Sequence, residues 1–212
     1  GEPCSYVPSE ITTQNEALFW PIEGAHAAGF SFSGLPYGWD VRRDSTPTAR
    51  IGVLDCGVGE YAYDASVGYS RAWHRDLPNR DLGVYTLFYP IVVETGGSSG
   101  NWIARTTNSS HGTEVAGVAG AIGDNGVDCV GTAWWGNHIV PIKVWETTSQ
   151  ISAFLRGIDW GLSQDIKIFT YQANFAPGQD DDGLYELVNE TMEENDALIF
   201  WAQTNSDTDA DE

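Results

Sequence analysis

Basic residues are scarce in this chain. Lysine and arginine number 10 against 30 aspartates and glutamates, giving a formal net charge of −20. Only two lysines occur, Lys143 and Lys167. A nucleic-acid binder needs a basic face to displace counterions, so that class is excluded. Long apolar runs are missing too. No stretch reaches the roughly 18 residues that open a membrane-span reading, so no membrane association is expected. No GxGxxG and no GxxxxGKS or GxxxxGKT loop follows any strand-like segment, which sets nucleotide binding aside. Cysteine is sparse: Cys4, Cys56 and Cys129, with no CxxC pair, match no zinc or redox spacing. They leave open one disulfide plus a free thiol, a bond to a cysteine outside the chain, or three buried thiols. No signal-peptide pattern stands at the front. The opening at Gly1 rather than Met reads as a processed or trimmed product.

Large apolar groups are plentiful. Hydrophobic residues make up 42% and aromatics 12%, with nine tryptophans in 212 residues. That exceeds what a disordered acidic chain carries and suffices for a sizeable core. The acidity is uneven. After Lys167 no basic residue follows, while Asp180 to Glu212 holds twelve carboxylates. Such a surface stays solvated and repels other acidic surfaces.

Residues 1–48 hold five prolines and little periodicity, and read as an arm over the surface. From Ala49 the pattern changes. ARIGVLD (Ala49 to Asp55) is a strand, and the following CGVG is a turn. Residues 60–110 mix Tyr, Trp, Asp and Gly around one apolar run, Val84 to Val93, and read as an inserted variable region. TEVAGVAGAI (Thr113 to Ile122) puts small residues at helical spacing, as for a helix pressed tightly on a sheet. Further strands are expected at His138 to Val144, Ile166 to Tyr171 and Leu198 to Ala202. Helices are expected at Ile151 to Leu162 and Gly183 to Asn195, the latter with Leu184, Leu187, Val188 and Met192 on one stripe.

Strands alternating with helices imply an α/β fold with a mostly parallel sheet covered on both faces. In such folds function sits at the carboxyl ends of the strands. Three polar residues fall there. Asp55 ends the first strand, His111 opens the small-residue helix, and Asn205 lies past the last strand. A carboxylate beside a histidine fixes the imidazole tautomer, and the histidine can then take a proton from a hydroxyl nucleophile. An amide donor such as Asn205 can stabilise an oxyanion.

At these residues the sequence resembles the subtilisin-like serine proteases. IGVLDCGVG (Ile51 to Gly59) is similar to the catalytic-aspartate strand, with Cys56 where threonine is usual. HGTEVAG (His111 to Gly117) is similar to the histidine motif HGTHVAG, with Glu114 in place of the second histidine. IGDNGVDCVGTA (Ile122 to Ala133), IVPIKV (Ile139 to Val144), GIDW (Gly157 to Trp160) and LIFWAQTN (Leu198 to Asn205) follow in the family's order. The resemblance spans roughly residues 35–205. It implies a three-layer sandwich, Asp55 as orienting carboxylate, His111 as base and Asn205 as oxyanion donor. The family's Gly-Thr-Ser-Met-Ala nucleophile motif does not occur here. The resemblance therefore implies the N-terminal two-thirds of a catalytic domain, completed by a C-terminal fragment of the same precursor that carries the serine.

The resemblance also implies a cleft for a peptide or protein substrate between two walls. One wall is Thr170-Tyr171-Gln172, where Gln172 replaces a glycine. The other is Ala202-Gln203-Thr204, where Thr204 replaces a glycine. Two lost glycines suggest a smaller or more polar pocket, or a degenerate one. Trp134-Trp135, where the family often has proline, would be a docking surface if exposed and core if buried. A structural calcium ion is implied in the loop after the histidine helix. Its ligands would be the Asn125 side chain, carbonyls at Gly123, Val127 and Cys129, and the Asp40 carboxylate; the other reading is a turn held by its own hydrogen bonds. Two functional readings result. One is a secreted or extracellular serine endopeptidase; the other is an inactive protease fold used for binding or assembly.

Overall fold

The computed structural model describes residues 49–62, 70–72, 76–77, 82–85, 92–95, 111–126, 130–133, 138–145, 150–173, 175 and 182–202. The arm expected over residues 1–48 lies outside them, as do Trp134, Trp135 and the Asn108 triplet.

β1 (Arg50–Asp55) is the centre of a six-stranded sheet in the order β5-β4-β6-β1-β7-β8. Its neighbours are β6 (His138–Lys143) and β7 (Ile168–Tyr171), both parallel to it. β4 (Leu82–Tyr85) and β8 (Leu198–Trp201) extend the sheet in parallel on either side. β5 (Val92–Thr95) closes one edge antiparallel to β4. The apolar run at Val84 to Val93 is therefore divided, its two ends forming the arms of an antiparallel pair. A separate antiparallel pair joins β2 (Glu60–Ala62) to β3 (Ser70–Ala72).

Side chains alternate across the pleat, and this alternation sorts the core into two parts. Ile51, Val53 and Asp55 of β1 face helix α1 (His111–Gly120), together with Ile139, Ala116, Val58 and Leu77. Leu54 points to the other face, where Val140, Ile142, Phe169 and Tyr171 meet α2 (Ile151–Ser163) and α3 (Asp182–Glu194). The result is the three-layer α/β sandwich expected from the sequence.

α1 begins two residues earlier than its apolar pattern, at His111. Its buried residues Gly112, Ala116 and Gly120 lie four apart, forming one stripe of small side chains. Glycine costs a helix about 1 kcal/mol relative to alanine. Here it permits close approach: a Cβ on Gly112 would fall on the carbonyl oxygen of Gly57 and come within 3.0 Å of Asp55. α2 uses Gly157 in the same way, against Leu54, Ile142 and Val144.

α2 and α3 stop by one device. Asp165 (φ 59°) and Asp196 (φ 49°) adopt left-handed backbone, which aspartate tolerates better than most residues. The next amides, Ile166 N and Ala197 N, then donate back to Gly161 O and Met192 O at 3.0 and 2.9 Å. On α3 Leu184, Val188 and Met192 are buried, but Leu187 is 48% exposed. The buried stripe is narrower than expected, because the helix meets the sheet along one row of residues four apart.

Candidate active site

The site starts from the end of β1. Asp55 shares its side-chain direction with Ile51 and Val53, so it emerges under the first turn of α1. It is fully buried. Cys56 N donates to Asp55 Oδ1 at 2.7 Å, which fixes the carboxylate plane. Gly112 lets α1 settle on the strand end, and this brings His111 over Asp55. Nδ1 of His111 lies 3.0 and 2.9 Å from the two carboxylate oxygens. Thr113 locks the arrangement. Its hydroxyl donates to Gly59 O at 2.8 Å and accepts from Gly59 N at 3.0 Å. The three residues of the His-Gly-Thr run thus serve separately as partner of Asp55, close contact and clamp.

A carboxylate only accepts hydrogen bonds, so Nδ1 carries the ring hydrogen and Nε2 is left as the basic nitrogen. The His111 pKa is raised above the ordinary imidazole value. The hydrogen bond to Asp55 is the main cause, and the negative charges of Asp55 and Glu114 add to it; partial burial opposes them. The imidazole is 43% exposed, so one edge stays accessible. Across β6, Lys143 is fully buried and stands opposite Asp55 in the register. The Trp145 ring lies 6.0 Å from the His111 ring, tilted by 55°.

His111 opens onto a cavity of about 800 Å³. Thr170, Gln172 and Ala202 line it with Glu114 and Phe200. So three of the expected substrate-wall residues stand on one cavity with His111. Tyr171 points the other way, into the closed core among Phe154, Phe175 and Trp201. Gln172 Nε2 donates to Thr170 Oγ1 at 2.9 Å and to Phe200 O at 3.3 Å. Its amide is thereby folded across the ends of β7 and β8. Gln203, Thr204 and Asn205 lie outside the described residues.

Of the expected calcium ligands, Gly123 and Asn125 are described, whereas Asp40, Val127 and Cys129 are not. Asn125 Nδ2 donates to Asp76 Oδ1 at 2.9 Å, and Asp76 is buried. Asp76 O in turn accepts from Ile122 N at 2.8 Å, which ties this residue to the loop after α1. Among the described residues no cluster of three or more His, Cys, Asp or Glu side chains is placed to hold a metal. Asp76 and Trp145 escaped the sequence reading. Both stand close to recognisable segments, but neither matches a motif residue.

A buried carboxylate thus holds a half-exposed histidine at the carboxyl end of a central parallel strand and beside a cleft, an arrangement that can move a proton through the free ring nitrogen. The profile of the subtilase family, Peptidase S8, matches residues 48–212, and the chain belongs to that family. No match was found among curated proteins. Among solved structures, the chain is similar to MycP1 with its N-terminal propeptide removed, at 15% identity and a TM-score of 0.52, covering 78% of this chain and 45% of that one. It is also similar to a protease from Pseudoalteromonas arctica, at 20% identity and a TM-score of 0.54, covering 80% of this chain and 52% of that one. The chain thus spans about half the length of each of these structures. Among the described residues no helix is long and apolar enough to cross a membrane.

Proposed function

We propose that this chain supplies the acid–base half of a secreted serine endopeptidase, with the nucleophilic serine carried by a C-terminal segment outside the chain. The His111 Nδ1 contact to both oxygens of Asp55 carries the reading. In this mechanism Nε2 of His111 takes the serine proton as the hydroxyl attacks the peptide carbonyl. Asp55 stabilises the resulting imidazolium without becoming protonated. Asn205 donates to the developing oxyanion, and such a donor is worth roughly 3 kcal/mol in the transition state. The imidazolium then returns its proton to the leaving amine, and water repeats the sequence on the acyl-enzyme.

The uncovered part of the α1 face supports a completing segment. Val118 and Phe200, 69% and 59% exposed, line the cavity that His111 opens on. Leu198, 62% exposed, stands two residues before Phe200 on the same side of β8. An apolar segment covering them would bring a serine at one end to Nε2. The test is a fluorophosphonate probe on the complete protein. Labelling of a serine outside this chain, lost in Asp55→Asn, supports the reading; a complete, folded protein that stays unlabelled sinks it.

Gln172 favours the second reading, an inactive fold used for binding. Its amide lies across the strand ends, where a bound peptide's backbone would pair. If so, Gln172→Gly alone will not bring probe reactivity to an unreactive protein. If the amide merely narrows the pocket of an active enzyme, the same change will admit substrates with larger side chains.

We extend the first reading to a structural calcium ion. Among the described residues Asp76 is the carboxylate that Asn125 meets. Carboxylate, amide and turn carbonyl oxygens are the hard donors calcium prefers. Asp76, Asn125 and the Gly123 carbonyl would hold the ion, which would tie the loop to the end of α1. Calcium should raise the melting temperature of the parent protein and leave that of Asp76→Asn unchanged; equal responses would return this segment to a self-held turn.

A further inference from the structure

Trp145 lies two residues beyond β6, where Val144 N donates to Asp55 O at 2.9 Å. That bond holds the chain alongside the end of β1 and delivers Trp145 to the rim of the site. The indole packs on the closed-face core, together with Ile151 and Leu155. Its ring also stands 6.0 Å from the His111 ring at 55°. One side chain therefore touches both the core and the base.

The indole nitrogen is buried and finds no hydrogen-bond partner among the described residues. A buried donor left unpaired is costly, and such a group in a folded protein calls for an explanation. Phenylalanine would fill much of the same space without that cost. What the structure does give this side chain is a flat ring with the core on one side and His111 on the other.

His111 needs such a wall. It is the first residue of α1 and its side chain is 43% exposed. Asp55 grips it at Nδ1 alone. The Cβ–Cγ bond and the Asp55 contact hold the ring along its Cγ–Nδ1 edge, so Nε2, at the opposite vertex, moves most when the ring rocks. A broad plane against one side removes that freedom.

We propose that Trp145 is a positioning residue, whose indole transmits the rigidity of the closed-face core to His111 and keeps Nε2 aimed at the cavity. The catalytic consequence rests on the protease reading; the effect on the ring does not. The test compares Trp145→Ala and Trp145→Phe in the complete protease domain, by peptide hydrolysis and by imidazole-nitrogen NMR of the uncomplexed protein. Trp145→Ala should lower kcat by roughly ten- to a hundredfold, as loss of orientation does elsewhere. KM should stay within about threefold, since the lost interaction acts in the transition state. The His111 nitrogen signals should lose the fixed Nδ1–H pattern, and Trp145→Phe should restore most of both readouts.

Trp145→Ala with parental kcat, or with lowered kcat but unchanged ring signals, overturns the proposal. A change confined to KM also overturns it, because it marks a substrate contact instead. Should the alanine variant not fold, Trp145→Leu fills the core without a flat ring and is judged by the same NMR criterion. If the parent protein neither hydrolyses peptides nor reacts with fluorophosphonate, the protease reading fails by itself, and the ring signals still decide the role of Trp145.

Discussion

The two faces of the sheet are finished to different degrees. On the α2–α3 face, Phe154 meets Tyr171, Phe175 and Trp201 with ring centroids 4.5, 5.4 and 5.0 Å apart. Leu54, Ile142, Phe169 and Ile166 are fully buried there. On the α1 face the core is good under β1 and β6 but stops at β7 and β8, where Leu198 and Phe200 stand open. The chemistry lies on the boundary between the closed and open parts. Asp55 belongs to the closed part, and His111 reaches from it over the open one. A histidine held by a buried carboxylate beside an uncovered apolar surface is the arrangement the proposed reading requires, with the last component coming from elsewhere.

The sharpest way to break this comparison is Asp55→Asn. The amide can still accept from Cys56 N, so the fold should persist. It no longer fixes the His111 tautomer or stabilises its cation, and the complete protease should lose on the order of 10⁴-fold in kcat. A steady-state assay beside a thermal melt decides it. A large drop in melting temperature together with lost activity would make Asp55 a structural residue instead.

Next in size is a pair of truncations, one on each face. Phe154→Ala on the closed face removes the ring that Tyr171, Phe175 and Trp201 all pack against, and should cost about 3–5 kcal/mol by denaturant unfolding. Phe200→Ala on the open face leaves no comparable cavity in this chain, and its stability should change by within about 0.5 kcal/mol. The same Phe200 change should weaken association with the completing segment. Equal destabilisation by the two truncations would mean that the open face is already covered.

How far the sequence foretold these faces depends on what each residue answers to. β1 and α2 were legible because their apolar patterns match their burial, whereas β8 was legible as an apolar strand although its Leu198 and Phe200 stand open. Asp55 and His111 were legible because no core needs those residue types at a strand end and beside a helix start. The opening of α1 at His111 was legible as well, but the need for Gly112 was not, because only the close approach to Asp55 and Gly57 explains it. Leu187 read as core because its spacing fits, but only contact with the sheet shows how narrow the buried row is. Asp76 and Trp145 were missed for a common reason. Their meaning lies in a neighbour distant in sequence, Asn125 for one and His111 for the other, and no local pattern records it. Lys143 was legible as a strand residue, but its complete burial opposite Asp55 was not.

The smallest effect tests the electrostatics at the boundary. Glu114 is exposed on α1, lines the cavity and adds to the upward shift of the His111 pKa, behind the larger effect of the hydrogen bond that His111 donates to Asp55. His111 must be neutral to act as base, so the acid limb of kcat/KM follows its raised pKa. Glu114→Gln removes one negative charge. The limb should move to lower pH, and the enzyme should gain activity on the acid side while its plateau stays near parental. The stability linkage has the matching sign. A raised folded pKa gives stabilisation that is complete below the ordinary imidazole value and is lost as pH rises through the raised one; Glu114→Gln should shrink it. Because Glu114 faces solvent, salt should diminish both differences between variant and parent, as screening requires. A limb that stays in place at low salt would show that Asp55 alone sets the base, and that Glu114 serves only the surface where the completing segment would dock.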